Sequence, residues 1–458
     1  MIVNMLTRDI RIAGGGVYFI VSLILYYVSV DVSSNLLNFL GVSFLLMTGL
    51  VILSLKGGWL FFLYVFGLSF AMVSGTVIEW TGAYLMEVGQ YAQLTGAAAR
   101  NSFLSVLFVA AAGAAYVAFM RLFLSGLPSF RLAEPALHWM LLALAFGAPI
   151  YYAAVLMIYG SPLSIGMDRF SYMTNVAPSL YRWVHGVLPL LGLVVAMAVS
   201  KGIVRLKVAL SWLLFVMTIY VFGGEKFSGI VILLFLFGIP FFALPGKRLS
   251  LPMFGLIAIF LLGSVGVVLL NYYLVYGHVD LFVSRLALQG QMNYAIDSLV
   301  AAPSLHGIMA SFIGLGSEQG ERGIAYLMYQ IADSSRVDWM LQHNARFTAP
   351  FPANLTLFFG SFLAPMVVLM FSFVAGFTAA LLRSAVRDGN LILSVVALKL
   401  FLMGYVAITM GDVYLFFEWK AFLLYFLVFC YFLVMHVNRL QKALSCRLFR
   451  GQFTREFS

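Results

Sequence analysis

Apolar runs of roughly twenty residues, separated by short polar turns, repeat along nearly the whole chain. A helix of that length matches about 30 Å of hydrocarbon at 1.5 Å per residue. The pattern predicts twelve spans: 12–30, 36–55, 59–78, 102–120, 137–158, 183–200, 208–222, 229–244, 253–272, 355–382, 391–410 and 422–437. One long interruption, 273–352, falls between the ninth and tenth spans. Structureless connections of that length are uncommon and usually functional. Within it, Leu281–Ala301 reads as an amphipathic helix with Leu281, Leu288, Met292 and Ile296 apolar. A second, Ile324–Leu341, has Ile324, Leu327, Met328 and Ile331 on one face. Gly314 to Gly323 reads as a flexible turn. The two helices are expected to lie on the membrane surface or to cap a cavity. Two shorter polar loops fall on the same side: 79–101, with Tyr84, Glu87, Tyr91 and Arg100, and 159–182, with Asp168-Arg169 and ending near His185. The expected fold is all-α: one polytopic transmembrane domain, 1–458, without internal repeat or soluble domain.

Composition agrees: 63% of residues are hydrophobic and 10% charged, against about 25% charged in a soluble domain. The net charge of +10 would suggest nucleic acid in a soluble protein. Here the basic residues follow the membrane, so the bilayer is the expected partner and nucleic acid is not. With the N-terminus cytoplasmic, 17 of the 27 Lys and Arg lie on that side and 13 of the 17 acids on the other. The positive-inside rule then puts both termini inside and 273–352 outside. Arg8 and Arg11 precede the first span as in a signal sequence, but no small-residue cleavage pattern precedes Asp31, so the span is read as retained. Cys430 and Cys446 form no disulfide framework. Asn354-Leu-Thr356 matches a glycosylation sequon beside a span.

Seven basic residues stand against the charge bias: Arg169, Arg182, Lys226, Arg285, Arg322, Arg336 and Arg346. Arg binds phosphate bidentately and Lys acts as a point charge, so such a group suits a diphosphate at the membrane surface. Ordinary pairing offers a blander account, with Asp168 beside Arg169, Glu225 beside Lys226, Glu321 beside Arg322 and Asp338 near Arg336. The turn Gly223-Gly-Glu-Lys-Phe-Ser-Gly229 keeps a charged pair close to hydrocarbon, which is costly unless it faces a polar cavity. It also reads as a tight hairpin turn. His343, just before the tenth span, suits a general base. His278 and His306 read as structural or solvated. No His pair has i, i+4 spacing and no Cys cluster exists, so neither metal nor cofactor is expected. No nucleotide-binding loop is present. Lys399 lies within the eleventh span as a functional candidate or a snorkelling side chain. Asp412, Glu418 and Lys420 are expected to pair with one another, rimming the same exterior cavity.

Taken together these residues resemble the bacterial O-antigen or oligosaccharide repeat-unit polymerases (Wzy type), similar in architecture to O-antigen ligases. The likeness rests on the span count, the exterior Asp168-Arg169, the small-residue turn with Lys226, and a late large loop. That loop ends in His343-Asn344 and Phe351-Pro-Ala-Asn-Leu-Thr-Leu-Phe-Phe-Gly360. Some members carry Gly eleven residues after an Arg in both loops; here Leu180 follows Arg169 and Ile296 follows Arg285 at that spacing. The related ligases usually have Arg where this chain has Lys226. The resemblance implies glycosyl transfer at the periplasmic face of the bacterial inner membrane. A growing glycan on undecaprenyl diphosphate would be the donor, a single lipid-linked repeat unit the acceptor, and a chain-length regulator a partner. Arg169, Lys226, Arg285, Arg346 and Arg182 would bind the diphosphate; His343, Asp168 or Glu225 would be the general base. A ligase, or a flippase or other carrier, are the competing expectations.

Overall fold

The computed structural model describes residues 2–85, 88–123, 134–167, 169–225, 227–243, 289–299, 307–310, 321–342, 346–347, 350–409 and 411–434, with isolated positions between 263 and 287. The helices, in chain order, are α1 (Ile2–Asp31), α2 (Asn35–Ser54), α3 (Phe62–Thr81), α4 (Ala97–Leu122), α5 (Glu134–Tyr159), α6 (Arg169–Asn175), α7 (Ser179–Ser200), α8 (Leu206–Phe222) and α9 (Phe227–Ala243). They continue with α10 (Gln291–Asp297), α11 (Ile324–Ile331), α12 (Ser334–Gln342), α13 (Ala353–Arg387), α14 (Leu391–Thr409) and α15 (Trp419–Val434). A two-stranded antiparallel hairpin pairs Tyr84 with Tyr91 and Leu85 with Gln90. This is an all-α membrane protein: among the described residues seven helices are long and apolar enough to cross a bilayer, and four shorter apolar helices accompany them. A helix stands at every expected span except 253–272, which lies almost wholly outside the described residues.

The bundle carries apolar side chains on its outside as well as in its core. Large apolar side chains such as Leu50, Met157, Phe362 and Met370 face outward, while small residues line helix contacts. A Cβ on Gly376 of α13 would stand 2.6 Å from the Ala112 carbonyl and the Ala115 Cβ of α4. Close backbone approach through small residues is how apolar helices associate when lipid is as apolar as they are. Helices α4 and α13 run parallel: further along, Arg383 meets Tyr116, and Arg387 donates to the Phe123 carbonyl at 3.1 Å. Lys399 lies on an exposed face of α14, the snorkelling arrangement rather than an interior site.

Four prolines lie inside helices, Pro149, Pro189, Pro240 and Pro365, and at the first, second and fourth the freed carbonyl is taken by an aromatic donor from another helix. Proline lacks the N–H that would bond the carbonyl four residues back. Pro149 frees Ala145, whose oxygen accepts from Trp212 Nε1 at 2.7 Å. Pro189 frees His185, whose oxygen accepts from the Tyr220 hydroxyl at 2.7 Å. Pro365 frees Ser361, whose oxygen accepts from the Tyr26 hydroxyl at 2.9 Å. In hydrocarbon, where no water substitutes, such repair offsets the cost of the lost bond. Just before Pro365, Gly360 (φ 72°, ψ 162°) breaks α13 into two helical parts.

The expectation that 273–352 stays outside the bundle is corrected at two places. Among the described residues of the first expected amphipathic helix, Gln291–Asp297 forms a helix, and all seven residues are buried against α3, α4 and α13. Gly290 sits against Gly75, its N–H donating to the Ser74 hydroxyl at 2.9 Å. Asn293 Oδ1 accepts from the Ala353 N–H at 3.4 Å, and Asp297 is forked by Arg100. Phe351 also lies inside, its ring 5.2 Å from that of Phe108. Phe108 is eleven residues beyond the first residue of α4, or about 16 Å along its axis. Polar composition suggested water; paired charges and satisfied amides make burial tolerable instead. The second expected helix is two, α11 and α12, broken at Ala332-Asp333. The turn expected over Gly314–Gly323 lies outside the described residues up to 320; Gly323 has φ 62°. The loop 79–101 is also shorter than expected. Glu79 is buried in α3, where its carboxylate accepts from Asn38 (2.7 Å), Thr95 (2.8 Å) and the Gly96 and Ala98 N–H groups (3.2 and 3.4 Å). It thereby takes two of the donors at the start of α4, the Ala97 and Ala99 N–H groups going to Thr95 Oγ1 and Asn38 Oδ1.

Candidate functional site

The turn between α8 and α9 builds a buried ionic cluster. Gly224 (φ 72°) reverses the chain, and its absent Cβ leaves room for Arg169 and Pro162, each 3.4 Å from where that atom would stand. Gly229 leaves the space that the Glu225 carboxyl occupies. Glu225, 7% exposed, is thus aimed inward, where its Oε2 meets Arg169 Nη1 at the start of α6 and His185 Nε2 of α7, the latter at 2.8 Å. His185 Nδ1 lies 3.0 Å from the Tyr152 hydroxyl of α5. With the proton on Nε2, the ring donates to Glu225 and accepts from Tyr152. The Pro189 kink adds the Tyr220 contact to the His185 carbonyl, so both ring and backbone of this histidine are held. Tyr152 stacks on Tyr181 at 4.3 Å, and Tyr220 lies 5.1 Å from the His185 ring, walling the cluster.

Burial pushes the Glu225 carboxyl up, but the His185 hydrogen bond and the Arg169 charge outweigh it and hold the group below its ordinary value. A folded-state value below the unfolded one means that stability is gained above the ordinary 4.5 and lost as pH falls through the lower folded value. The melting temperature of the purified protein is therefore expected to drop on acidification below about 4.5, and Glu225→Gln, which cannot titrate, is expected to flatten that acid limb. Identical acid limbs in the two proteins would remove Glu225 from the titration. Electrostatically the carboxylate is committed to its two partners. It orients the imidazole through Nε2, the geometry of a histidine positioned by an acid.

A second charged group lies where α11 and the 346–347 segment meet the turn after α14. Gly411 (φ 73°) leads into Asp412, whose Oδ1 accepts from the Ile324 N–H at 3.1 Å and whose Oδ2 lies 3.9 Å from Arg346. Burial raises the Asp412 carboxyl against the opposing pull of that N–H and of Arg346 and Arg322. Arg322 pairs with Glu418 at 3.5 Å and lies 4.3 Å over the Tyr414 ring.

Of the sequence-derived candidates, Arg169 and Glu225 are brought together. Arg346 belongs to the second group, and no described contact joins the two. Arg182 sits one turn before His185, exposed, beside a cleft of about 400 Å³ lined also by Ser179, Trp183, Gly186 and Val187. Asp168, Lys226, Arg285 and His343 lie outside the described residues. Of the pairings expected from adjacency, those with Asp168 and Lys226 lie outside the described residues, and that of Arg322 with Glu321 is corrected. The described contacts give Arg169 Glu225, 56 residues away, and give Arg322 Glu418. Asp338 accepts from Tyr329. Asp412, Glu418 and Lys420 do not pair with one another among the described contacts; Lys420 lies over Trp419. His185 and Tyr152 were not singled out as chemical groups. A histidine one turn before a mid-helix proline, inside an apolar run, was the available signal. Among the described residues no group of three His, Cys, Asp or Glu is placed to hold a metal.

A family of unknown function (DUF6418) matches residues 317–425, which take in the second charged group and α13 but not the Glu225 cluster. No curated protein and no solved structure matches the chain.

Proposed function

We propose that this chain is a twelve-span bacterial inner-membrane glycosyltransferase, both termini cytoplasmic. It would polymerise undecaprenyl-diphosphate-linked oligosaccharide repeat units at the periplasmic face. The observation that carries the reading is the buried Arg169–Glu225–His185 cluster closed by Tyr152, which sits at the loop end of α8 and the start of α7. In the proposed reaction the acceptor's terminal hydroxyl forms a bond to the donor's first sugar carbon, and the carbon–oxygen bond to undecaprenyl diphosphate breaks. The acceptor hydroxyl passes its proton to the Tyr152 oxygen as the Tyr152 proton moves to His185 Nδ1, the ring being held at Nε2 by Glu225. Arg169 and Arg182, with Lys226, Arg285 and Arg346, stabilise the departing diphosphate; His343 and Asp168 stand as alternative bases. The sugar–diphosphate bond supplies the driving force. A second reading, a flippase or other carrier, is favoured by one feature: α13 is broken at Gly360, and carriers place broken helices at their substrate sites. A lipopolysaccharide gel of a deletion strain separates these. A core with a single repeat unit and no ladder is the expected result. Bare core with lipid-linked polymer accumulated would mean a ligase, bare core without periplasmic intermediate a flippase, and an unchanged ladder would end the reading.

A further inference from the structure

Arg100 and Arg169 are half-buried, and each meets a carboxylate, that of Asp297 and that of Glu225. Arg383 of α13 is buried further, at 7% exposure, and none of the described ion pairs includes it. A charge taken out of water without a counter-charge is strongly unfavourable. Its neighbours seat the group without neutralising it. Just after α2, Gly57 (φ 83°) turns the chain so that the Lys56 carbonyl accepts from Arg383 Nη1. A Cβ on Gly57 would stand 2.6 Å from Nη1 and 2.7 Å from the guanidinium carbon, so only glycine lets the group lie against this turn. The Tyr116 hydroxyl of α4 donates to the same carbonyl at 3.0 Å and accepts from Nη1. A helix C-terminus amounts to about half an elementary charge, so the carbonyl after α2 offsets only part of the arginine. The acid in the next turn is spent elsewhere: Arg387 donates to both oxygens of Asp388, at 2.8 and 3.3 Å.

The rest of the guanidinium is unspent. Nε is buried without a partner among the described residues, and no described contact takes Nη2. These two N–H groups form the edge of an arginine that grips two oxygens of one oxyanion. Lys56, whose carbonyl fixes Nη1, carries an exposed side chain, a second cation on the same turn. We propose that Arg383 and Lys56 form a binding site for a phosphate group at the membrane face read here as cytoplasmic. The site supplies the missing counter-charge, and it stands apart from the glycosyl-transfer reading. It lies near the end of α13, where a span leaves hydrocarbon, and the cytoplasmic leaflet presents anionic headgroups at that level. Free phosphate offers the same oxygens, so lipid and solute are separated by experiment.

The test uses the full chain in detergent, stripped of lipid. Melting is followed as phosphatidylglycerol, phosphatidylcholine or inorganic phosphate is added. Phosphatidylglycerol is expected to raise the midpoint, and phosphatidylcholine, whose own ammonium cancels its phosphate, to raise it much less. Half of the rise should need about tenfold more phosphatidylglycerol in Arg383→Gln and about fivefold more in Lys56→Gln. Lys56→Gln keeps the carbonyl in place, so it reports even where Arg383→Gln does not fold. A rise with inorganic phosphate, lost in the same variants, would support the site and make free phosphate its ligand. Equal responses to the two lipids would mean that they act through their tails, and would overturn the proposal. So would no rise with any of the three, or a phosphatidylglycerol response undiminished in Lys56→Gln. Lower melting of Arg383→Gln with an unchanged lipid response would make Arg383 a structural cap of α2, and would overturn it too.

Discussion

Glu225→Ala is expected to abolish polymer formation and to lower stability by about 3–5 kcal/mol, the usual consequence of removing one partner from a buried ion pair. The reason is geometric. Arg169 Nη1 and His185 Nε2 converge on the same carboxylate oxygen, so the alanine leaves two buried donors facing each other. Arg169→Ala should also destabilise, by leaving the carboxylate with His185 alone. The double variant should be less damaged than the sum of the two, since the second change removes a group already stranded. A coupling of about 0.5–3 kcal/mol is the range for contacting residues. Fluorescence-detected melting of the four purified proteins gives the cycle, and lipopolysaccharide gels of the same strains give the activity. Strict additivity would show that the two side chains do not act as a pair.

Gly223→Ala is expected to be nearly as harmful to activity, though it adds one carbon. That carbon would run into the Tyr152 hydroxyl and stand 3.1 Å from the hydroxyl of Tyr181. Relief requires Tyr152 to move away from His185 Nδ1, and if the proposed proton path runs through that contact, a small displacement costs about 10²-fold. Overpacking should also lower stability by about 1–3 kcal/mol. Adding Tyr152→Phe removes the obstructing oxygen. The pair Gly223→Ala/Tyr152→Phe should recover melting without recovering polymer, because Nδ1 then has no partner. Recovery of both would mean that the tyrosine hydroxyl has no part in the chemistry.

The helices were legible because lipid imposes a length and a composition that survive without tertiary detail: α2, α4, α7 and α14 lie within a few residues of the runs that announce them. The site was legible only in part. Residues 223–229 drew notice because a charged pair beside hydrocarbon is costly, and Glu225 is indeed where that cost is offset. Its partners are not visible in sequence, since Arg169 is 56 residues away and His185 reads there only as the end of a loop. Adjacency misled in the same way at Arg322, whose acid is Glu418 rather than Glu321. The burial of α10 was hidden for a different reason. Gln291, Asn293 and Asp297 look like residues that want water, and only the arrangement of Arg100, Ser74 and Ala353 shows how they do without it.

The parallel packing of α4 on α13 also sets an order of assembly. Some 230 residues separate the end of α4 from the start of α13, and at roughly 5–20 residues per second the ribosome takes about 10–50 s to make them. Through that interval the small-residue face of α4 around Ala112 and Ala115 stands in the bilayer without the helix that fits it, and α10, made before Ala353, has no finished seat. The early helices must wait in lipid with a sticky groove uncovered, which makes the nascent chain a natural client for any insertase or chaperone that shields such faces until the last third of the protein arrives.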